Sequence, residues 1–464
     1  MIKIFNHYFQ RHMLFQIVLD FTLIFGVLIF PLMLHKKANV SAIEAIFFDS
    51  GRGVIIGFMV ILVNIFLGLY DGFGKLAIGQ IRARAVLSFL FSIAIIYGVF
   101  SGIPLNSSMQ NNISIMALVV VMGCMLAVRV LALNILPIKY MRRRILIFGV
   151  GKRAHIVGKA LKNNDPSIEL VGYFAGLQEH DSDISEGKII PKGETLTEIV
   201  KKNQVDEIVV ALSERRGGSM PMRELLDCKL KGIKVIDIST HFEQYSGQIR
   251  LDTLYAGWLI FSGGFNQGFM RSGIKWLFDM IAAVILLVMA LPVMAMTAAL
   301  ISIESSGPIF YRQARVGRNG RVFNVIKFRS MYSDAEKDGT PRWASAGDSR
   351  ITRVGKFIRK MRIDELPQLF CVLKGDMSLV GPRPERPYFV ERLTLEIPYY
   401  AVRHSIKPGL TGWAQVRYHY GASVEDTEHK LQYDLYYVKN HSWFLDLVIL
   451  FETVGVVLTG KGAQ

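Results

Sequence analysis

The chain has 464 residues, of which 51% are hydrophobic and only 20% charged, with a mean hydropathy of +0.32. This composition excludes a disordered chain and argues against a wholly soluble one. Fifty-four Lys and Arg against 38 Asp and Glu leave a formal charge of +16, which calls for anionic partners: nucleic acid, phosphorylated substrate or acidic lipid, the apolar share favouring the last two. Cys124, Cys228 and Cys371 share no close spacing, so neither a disulfide framework nor a Cys-rich zinc site is encoded.

Four apolar runs fill the first third: Met13 to Leu34, Gly53 to Tyr70, Val86 to Leu105 and Ile113 to Leu136. Each is long enough to span a bilayer. The first is an anchor, because it is too long for a cleaved leader and further hydrophobic runs follow. With the N-terminus inside, Lys3, Arg11, Lys75, Arg82, Arg84, Lys139 and Arg142 to Arg144 are cytoplasmic, against Lys36, Lys37 and Arg52 outside. Arg129 sits inside the fourth run, either snorkelling or meeting a lipid phosphate.

From Arg142 an apolar strand pattern enters a glycine turn and a helix, the opening of a Rossmann-like unit. Further strands are expected at Leu170 to Phe174, Glu207 to Ala211 and Lys234 to Ile238, with helices at Leu196 to Lys202 and Met222 to Lys231. Gly149, Gly151 and Ala154 fit G-x-G-x-x-A, a candidate nucleotide-binding turn. The acidic residue that would bind a ribose after the second strand is missing, so a structural or regulatory role is expected rather than dinucleotide chemistry.

A fifth apolar run, Ile274 to Ile303, contains Pro292. Crossing would put the region after it outside, yet Phe310 to Arg362 carries 14 Lys and Arg against four acidic residues. A re-entrant helix that breaks at Pro292 keeps both ends cytoplasmic. The chain is therefore expected to hold a four-helix transmembrane domain (1–140), a Rossmann-like α/β domain (141–265) and an α/β catalytic domain (266–464) with a re-entrant helix at about 274–303. The run from Ser442 to Leu458 includes Asp446 and Glu452, which disfavour a span and leave an interfacial or a packed helix.

The densest chemistry lies between Tyr311 and Trp413. Arg315, Lys327 and Arg329 accompany glycine turns suited to phosphate, and Arg353, Lys356, Arg359, Lys360 and Arg362 lead into Asp364-Glu365 and the rigid Gly381-Pro382-Arg383-Pro384 turn. A carboxylate here could attack phosphorus and a second could hold Mg²⁺, the arginines keeping both ionised. Solvated surface ion pairs are the alternative for any single pair.

The strings KFRSM (Lys327 to Met331), DELPQLF (Asp364 to Phe370), LKGDMSLVGPRPE (Leu373 to Glu385), KPGLTGWAQV (Lys407 to Val416) and DLYYVKN (Asp434 to Asn440) occur in order. Together they resemble the bacterial sugar transferases, the polyprenyl-phosphate sugar-1-phosphate transferases also named monotopic phosphoglycosyl transferases. The layout is similar to that of the large members, and IFNHY at the start to those of exosortase-associated exopolysaccharide systems. The resemblance implies that Asp364 takes a sugar phosphate from a UDP-sugar and passes it to undecaprenyl phosphate, initiating exopolysaccharide, capsule or O-antigen synthesis. It also implies Mg²⁺ on Asp364 and Glu365, phosphate contacts from Lys327, Arg329, Arg315, Arg362 and Arg383, the re-entrant helix broken at Pro292, a homodimer, and residence among the lipids of the bacterial inner membrane. Nucleic acid drops out as a partner. Cys371, Leu291 and Arg417-Tyr418-His419-Tyr420 depart from the family pattern, the last leaving the substrate open. A membrane-anchored nucleotide-sugar epimerase or dehydratase would need a Tyr-x-x-x-Lys pair, absent between Tyr140 and Arg271. A non-enzymatic lipid-binding scaffold would not need Asp364.

Overall fold

The structure is a computed structural model that describes residues 2–4, 7–9, 16–24, 26, 51, 54–65, 67–70, 78–102, 115–116, 118–127, 143–164, 168–176, 189–191, 193–212, 220–254, 263–265, 268–332, 348, 350–418 and 423–459. The chain divides into two compact units, one mainly Phe9–His241 and the other mainly Phe242–Gln464.

In the first unit, residues 16–24, 54–65 and 118–127 are helical, as is α1 (Ile78–Gly102). The four pack through Ile24, Ile56, Val60, Ile96, Phe100, Leu118 and Met122. Polar groups turn inward: Tyr70 donates to the buried Asp20 at 2.6 Å, and Ser88 donates to Asn64. Leu19, Phe58, Leu90, Phe91 and Tyr97 face outward. That inside-out distribution suits lipid, where an internal partner is the cheap option for a polar group. Among the described residues, the windows long and apolar enough to cross a bilayer are Arg84–Ser101 and Arg271–Glu304, while Val54–Ile65 and Leu118–Ala127 are shorter. Arg129 and the ends of the four expected runs lie outside the described residues.

The Rossmann-like expectation is realised as a five-stranded parallel sheet. Its strands are β1 (Arg143–Phe148), β2 (Ile168–Phe174), β3 (Ile189–Ile190), β4 (Glu207–Val210) and β5 (Lys234–Asp237), in the order β3-β2-β1-β4-β5. Between them lie α2 (Lys152–Asn164), α3 (Leu196–Lys202) and α4 (Met222–Leu230). Apolar runs such as Ile145 to Phe148 form strands here because helices cover both faces of a parallel sheet. Gly149 has φ +132°, and a Cβ there would come 2.9 Å from the Ala211 carbonyl oxygen. The turn's own packing thus accounts for this glycine, with no phosphate required.

Helix α5 (Ile238–Ser246) carries the boundary between the units. The segment after it, read from sequence as part of the Rossmann-like domain, is bonded into the second unit. Ile249 N–H donates to the Gln432 carbonyl at 2.9 Å, Trp413 Nε1 to the Gly247 carbonyl at 2.7 Å, and Lys439 pairs with Glu243 at 2.8 Å.

The second unit is built around α6 (Phe269–Glu304), the hairpin β6 (Phe310–Val316) and β7 (Val322–Phe328), and the short parallel pair β8 (Ser378–Val380) and β9 (Gly409–Thr411). The other helices are α7 (Arg353–Lys360), α8 (Leu369–Lys374), α9 (Pro387–Glu396), α10 (Trp413–Arg417), α11 (Val424–Asn440) and α12 (Trp443–Thr459). Leu369, Val372, Leu379, Leu393, Leu435, Tyr436 and Leu445 form its core.

Helix α6 departs from expectation at Pro292. It continues unbroken for 36 residues with the proline inside, because a proline removes one backbone donor, a loss the flanking turns can absorb. Both ends are tied to the same unit. Lys275 pairs with the fully buried Asp446 at 2.6 Å, and Glu304 accepts the Arg353 and Val354 N–H groups at 2.8 and 3.1 Å, at the N-terminus of α7. Between them, Ala283, Met294 and Ile301 pack inward while Leu277, Ile281, Val288, Met289, Met296 and Ile303 stay exposed. Helix α12 takes the packed alternative. Tyr437 donates to Asp446 at 2.6 Å and Arg417 to Glu452 at 2.5 Å, so both acids meet partners inside the unit, while Trp443, Phe451 and Val454 stay exposed.

Candidate active site

A 3₁₀ turn, Ile363–Gln368, carries Asp364 and Glu365. Arg362 enters it at φ +57°, a left-handed conformation that costs a non-glycine residue about 1 kcal/mol. Ile363 and Leu366 anchor the turn on Met294, Ile301, Phe328 and Ile358, so the C-terminal half of α6 forms its floor. In β7, successive side chains face opposite ways: Phe328 enters that floor while Lys327 reaches Glu365.

The two carboxylates have different surroundings. Glu365 accepts from Lys327 Nζ at 3.1 Å and from Arg383 Nη2 at 2.5 Å, and Arg362 Nη1 lies 3.7 Å away. Burial works against its charge, but Arg383, Lys327 and Arg362 outweigh burial and hold its carboxyl well below the usual range. Asp364 is 8% exposed and, among the described residues, accepts no hydrogen bond and joins no ion pair. Burial, and next the charge of Glu365, push it up to about 6. The expectation that the arginines keep both carboxylates low therefore holds for Glu365 alone; for Asp364, desolvation and like charge win.

The other expected phosphate ligands divide. Lys327, Arg362 and Arg383 converge on the dyad. Arg315 contacts the Pro-Arg-Pro turn, giving Nη1 to the Pro384 carbonyl at 3.0 Å and to Glu385 at 3.0 Å, and Nη2 to Gln313 at 2.6 Å. Arg329 is elsewhere: its guanidinium donates to the Ser305 and Ser306 carbonyls at 2.7 and 2.9 Å, just past the C-terminus of α6. The negative end of a helix attracts a cation as readily as a phosphate does, and its carbonyls need donors. Gly149 and Gly151 lie in the other unit. Arg417 stacks over Trp413 at 4.3 Å and Tyr418 donates to Asp426 at 2.9 Å, while His419 and Tyr420 lie outside the described residues.

The motif reading missed a layer behind Arg383. Arg403 donates to the Arg383 carbonyl at 2.8 Å and to Asp434 at 3.0 Å, and Lys430 lies in the field of Arg383 and Glu385. The one signal was Asp434, at the head of the string DLYYVKN.

Among the described residues no three His, Cys, Asp or Glu side chains cluster as a metal cage. Mg²⁺ does not need one, since it takes one or two carboxylates and completes its octahedron with water and phosphate oxygens. The unclaimed oxygens of Asp364 fit that demand. On Glu365 the cations gather on Oε1, with Lys327 at 3.1 Å and Arg383 at 2.5 Å, while Oε2 has Arg383 Nη1 at 3.4 Å, so Glu365 fits both as the anchor of the cations and, through Oε2, as a second oxygen ligand.

A bacterial sugar transferase profile matches residues 270–460, the stretch holding α6 and the dyad. Over 242 residues the chain is 46% identical to the UDP-N-acetylgalactosamine-undecaprenyl-phosphate N-acetylgalactosaminephosphotransferase of Aeromonas hydrophila, covering 52% of this chain and 56% of that one. It is 43% identical over 185 residues to the undecaprenyl-phosphate glucose phosphotransferase of Komagataeibacter xylinus, covering 39% of this chain and 35% of the relative. The chain thus spans about half the length of the first and a third of the second. A longer match, 33% over 335 residues, joins it to the UDP-glucose:undecaprenyl-phosphate glucose-1-phosphate transferase of Xanthomonas campestris pv. campestris, covering 69% and 68% of the two chains. Since that match spans two thirds of both proteins, and the profile falls on the unit that assembles the dyad, the chain belongs to the bacterial sugar transferase family.

Proposed function

We propose that the chain is a polyprenyl-phosphate sugar-1-phosphate transferase that moves a sugar phosphate from a UDP-sugar to undecaprenyl phosphate through a phospho-Asp364 intermediate. The observation that carries the reading is the asymmetric dyad: a buried Asp364 that is unpaired among the described residues, beside a Glu365 held by three cations. An unpaired carboxylate keeps its lone pairs for attack, and desolvation strengthens it as a nucleophile. An Asp364 oxygen attacks the phosphorus that bears the sugar, and the bond from that phosphorus to UMP breaks, so UMP leaves with the bridging oxygen. Undecaprenyl phosphate then attacks the same phosphorus, the acyl phosphate bond breaks, and Asp364 returns to its carboxylate. Lys327, Arg362 and Arg383 offset the diphosphate charge as it enters. Mg²⁺, which Glu365 and one oxygen of Asp364 would hold together with water and phosphate oxygens, would supply further charge neutralisation and leave the other Asp364 oxygen for attack.

The membrane arrangement follows the same reading. Helix α6 is bonded at Lys275 and at Glu304 to one catalytic unit, so a crossing would leave that unit on both sides of the bilayer. A re-entrant or in-plane path keeps the exposed apolar face of α6 in lipid and the dyad where an anchored lipid phosphate can reach it. Four N-terminal spans with a cytoplasmic catalytic side complete this topology in the bacterial inner membrane. A homodimer, the initiation of exopolysaccharide synthesis, and nucleotide binding at Gly149 and Gly151 rest on the resemblance and the motif. A cysteine placed just beyond Ile303 is expected to resist impermeant thiol reagents in intact cells, and labelling from outside would overturn the topology.

The relatives' names carry N-acetylgalactosamine and glucose, which makes their UDP-sugars the first to try. With undecaprenyl phosphate and Mg²⁺, the purified full chain is expected to release UMP in step with a lipid-linked sugar diphosphate. Without the lipid, it is expected to release at most one UMP per chain. A panel of UDP-sugars that yields no UMP sinks the reading.

A further inference from the structure

We propose that Arg403 is a positioning residue for the transfer reaction, acting through the main chain of Arg383; the inference rests on the reading above. Every carbonyl from Pro382 to Glu385 is held by a donor from another element. Pro382 O accepts from Gly409 N–H at 3.0 Å, Arg383 O from Arg403 Nη2 at 2.8 Å, Pro384 O from Arg315 at 3.0 Å, and Glu385 O from Val316 N–H at 2.9 Å. Proline rings fix φ at residues 382 and 384, and Pro384 restricts Arg383 to extended conformations. The torsions left free around Arg383, among them ψ of Pro382 and the φ and ψ of Arg383 within their extended range, set where its carbonyl and side chain point. The donor on that carbonyl therefore sets where the guanidinium begins its reach to Glu365.

Arg403 is suited to hold that carbonyl still. It is 7% exposed, and its other donors are fixed: Nε to Asp434 at 3.0 Å and Nη1 to the Tyr400 hydroxyl at 2.9 Å. Asp434, on α11, is itself 3% exposed, so the pair is shielded from water. A guanidinium donates in three fixed directions at once, which an ammonium on a flexible stem does not reproduce. Arg403 makes no hydrogen bond or ion pair to either carboxylate of the dyad, so its influence runs through Arg383.

The test is a double-mutant cycle on single-turnover UMP release by the full chain. Arg403→Lys is expected to slow release about 30-fold, the scale of a sub-ångström misplacement, with KM for the UDP-sugar changed less than about threefold. In an Arg383→Ala background the same substitution should change the rate less than about twofold, because the group it positions is gone. Tyr400→Phe removes one acceptor of Arg403 and guards against a misfolded lysine variant; a loss of about threefold is expected, again absent without Arg383. Equal fold-losses in both backgrounds overturn the proposal and leave Arg403 a purely structural residue. A wild-type chain that releases no UMP overturns the parent reading and this one with it.

Discussion

Asp364→Asn is expected to lose UMP release by about 10³-fold or more while raising the unfolding temperature. The first half follows from covalent catalysis: an amide cannot form the acyl phosphate, and the surrounding cations cannot replace a nucleophile. The second half follows from the pKa of about 6. The sign runs opposite to that of a paired carboxylate. Above pH 6 the folded protein carries an ionised Asp364 that burial and Glu365 disfavour, which costs on the order of 3 kcal/mol relative to the unfolded chain. As pH falls from 6 toward 4, the folded state takes up the proton first and the cost disappears. Asn removes it at every pH. Thermal unfolding at pH 7.5 should therefore favour Asp364→Asn, and the advantage should shrink at pH 5. A chain incubated with UDP-sugar labelled on the sugar-bearing phosphate should hold acyl-phosphate label in wild type and none in the variant. Transfer surviving in Asp364→Asn would defeat the covalent mechanism, and an unchanged unfolding temperature would defeat the electrostatic account of the site.

Glu365→Gln is expected to move both quantities the other way in stability and by a different route in rate. The amide keeps the shape but removes the charge that gathers Lys327, Arg362 and Arg383. Breaking a buried pair from one side leaves cations uncompensated, a loss of about 3 kcal/mol. Because Glu365 is held well below the usual carboxylate range, the stability it contributes is present above pH 4.5 and fades as pH falls into the acid range. In the variant, Asp364 loses a like charge and inherits the attention of Arg383 and Lys327. Its pKa should fall, shifting the ascending limb of the pH–rate profile below its wild-type midpoint near 6, while the plateau rate drops about 100-fold because the nucleophile is now ion-paired. A limb that moves upward, or a variant as stable as wild type, would show that Glu365 does not organise these cations.

Both expectations depend on an asymmetry that adjacent letters in a sequence do not carry. Asp364 and Glu365 are neighbours in one turn, yet among the described residues the side chain of Glu365 reaches three cations and that of Asp364 pairs with none. The pattern of basic residues was legible, but not their allocation. Arg315, Lys327, Arg329, Arg362 and Arg383 all read as phosphate ligands. The fold sends Arg329 to the end of α6 and Arg315 to the Pro384 carbonyl, and leaves three for the dyad. Proline reads differently in the two places it matters. At Pro382 and Pro384 it stiffens a turn, as expected, whereas at Pro292 the helix runs through it.

By itself the sequence determined what is local. Continuous apolar runs became parallel strands covered on both faces, because burial on two faces leaves no polar alternation. A long apolar segment became α6, because every backbone group of a helix is satisfied within itself. The ordered strings marked the family. The tertiary structure alone decided which charges meet, for Lys327 and Arg383 lie 38 and 18 residues from Glu365 and reach it only after β7 and the Pro-Arg-Pro turn are in place. It also decided that α6 is bonded at both ends to one unit, and that Arg403 stands behind Arg383. The physical reason is one of range: hydrophobic periodicity and turn chemistry act over a few residues, whereas burial and Coulomb interaction depend on distance through space.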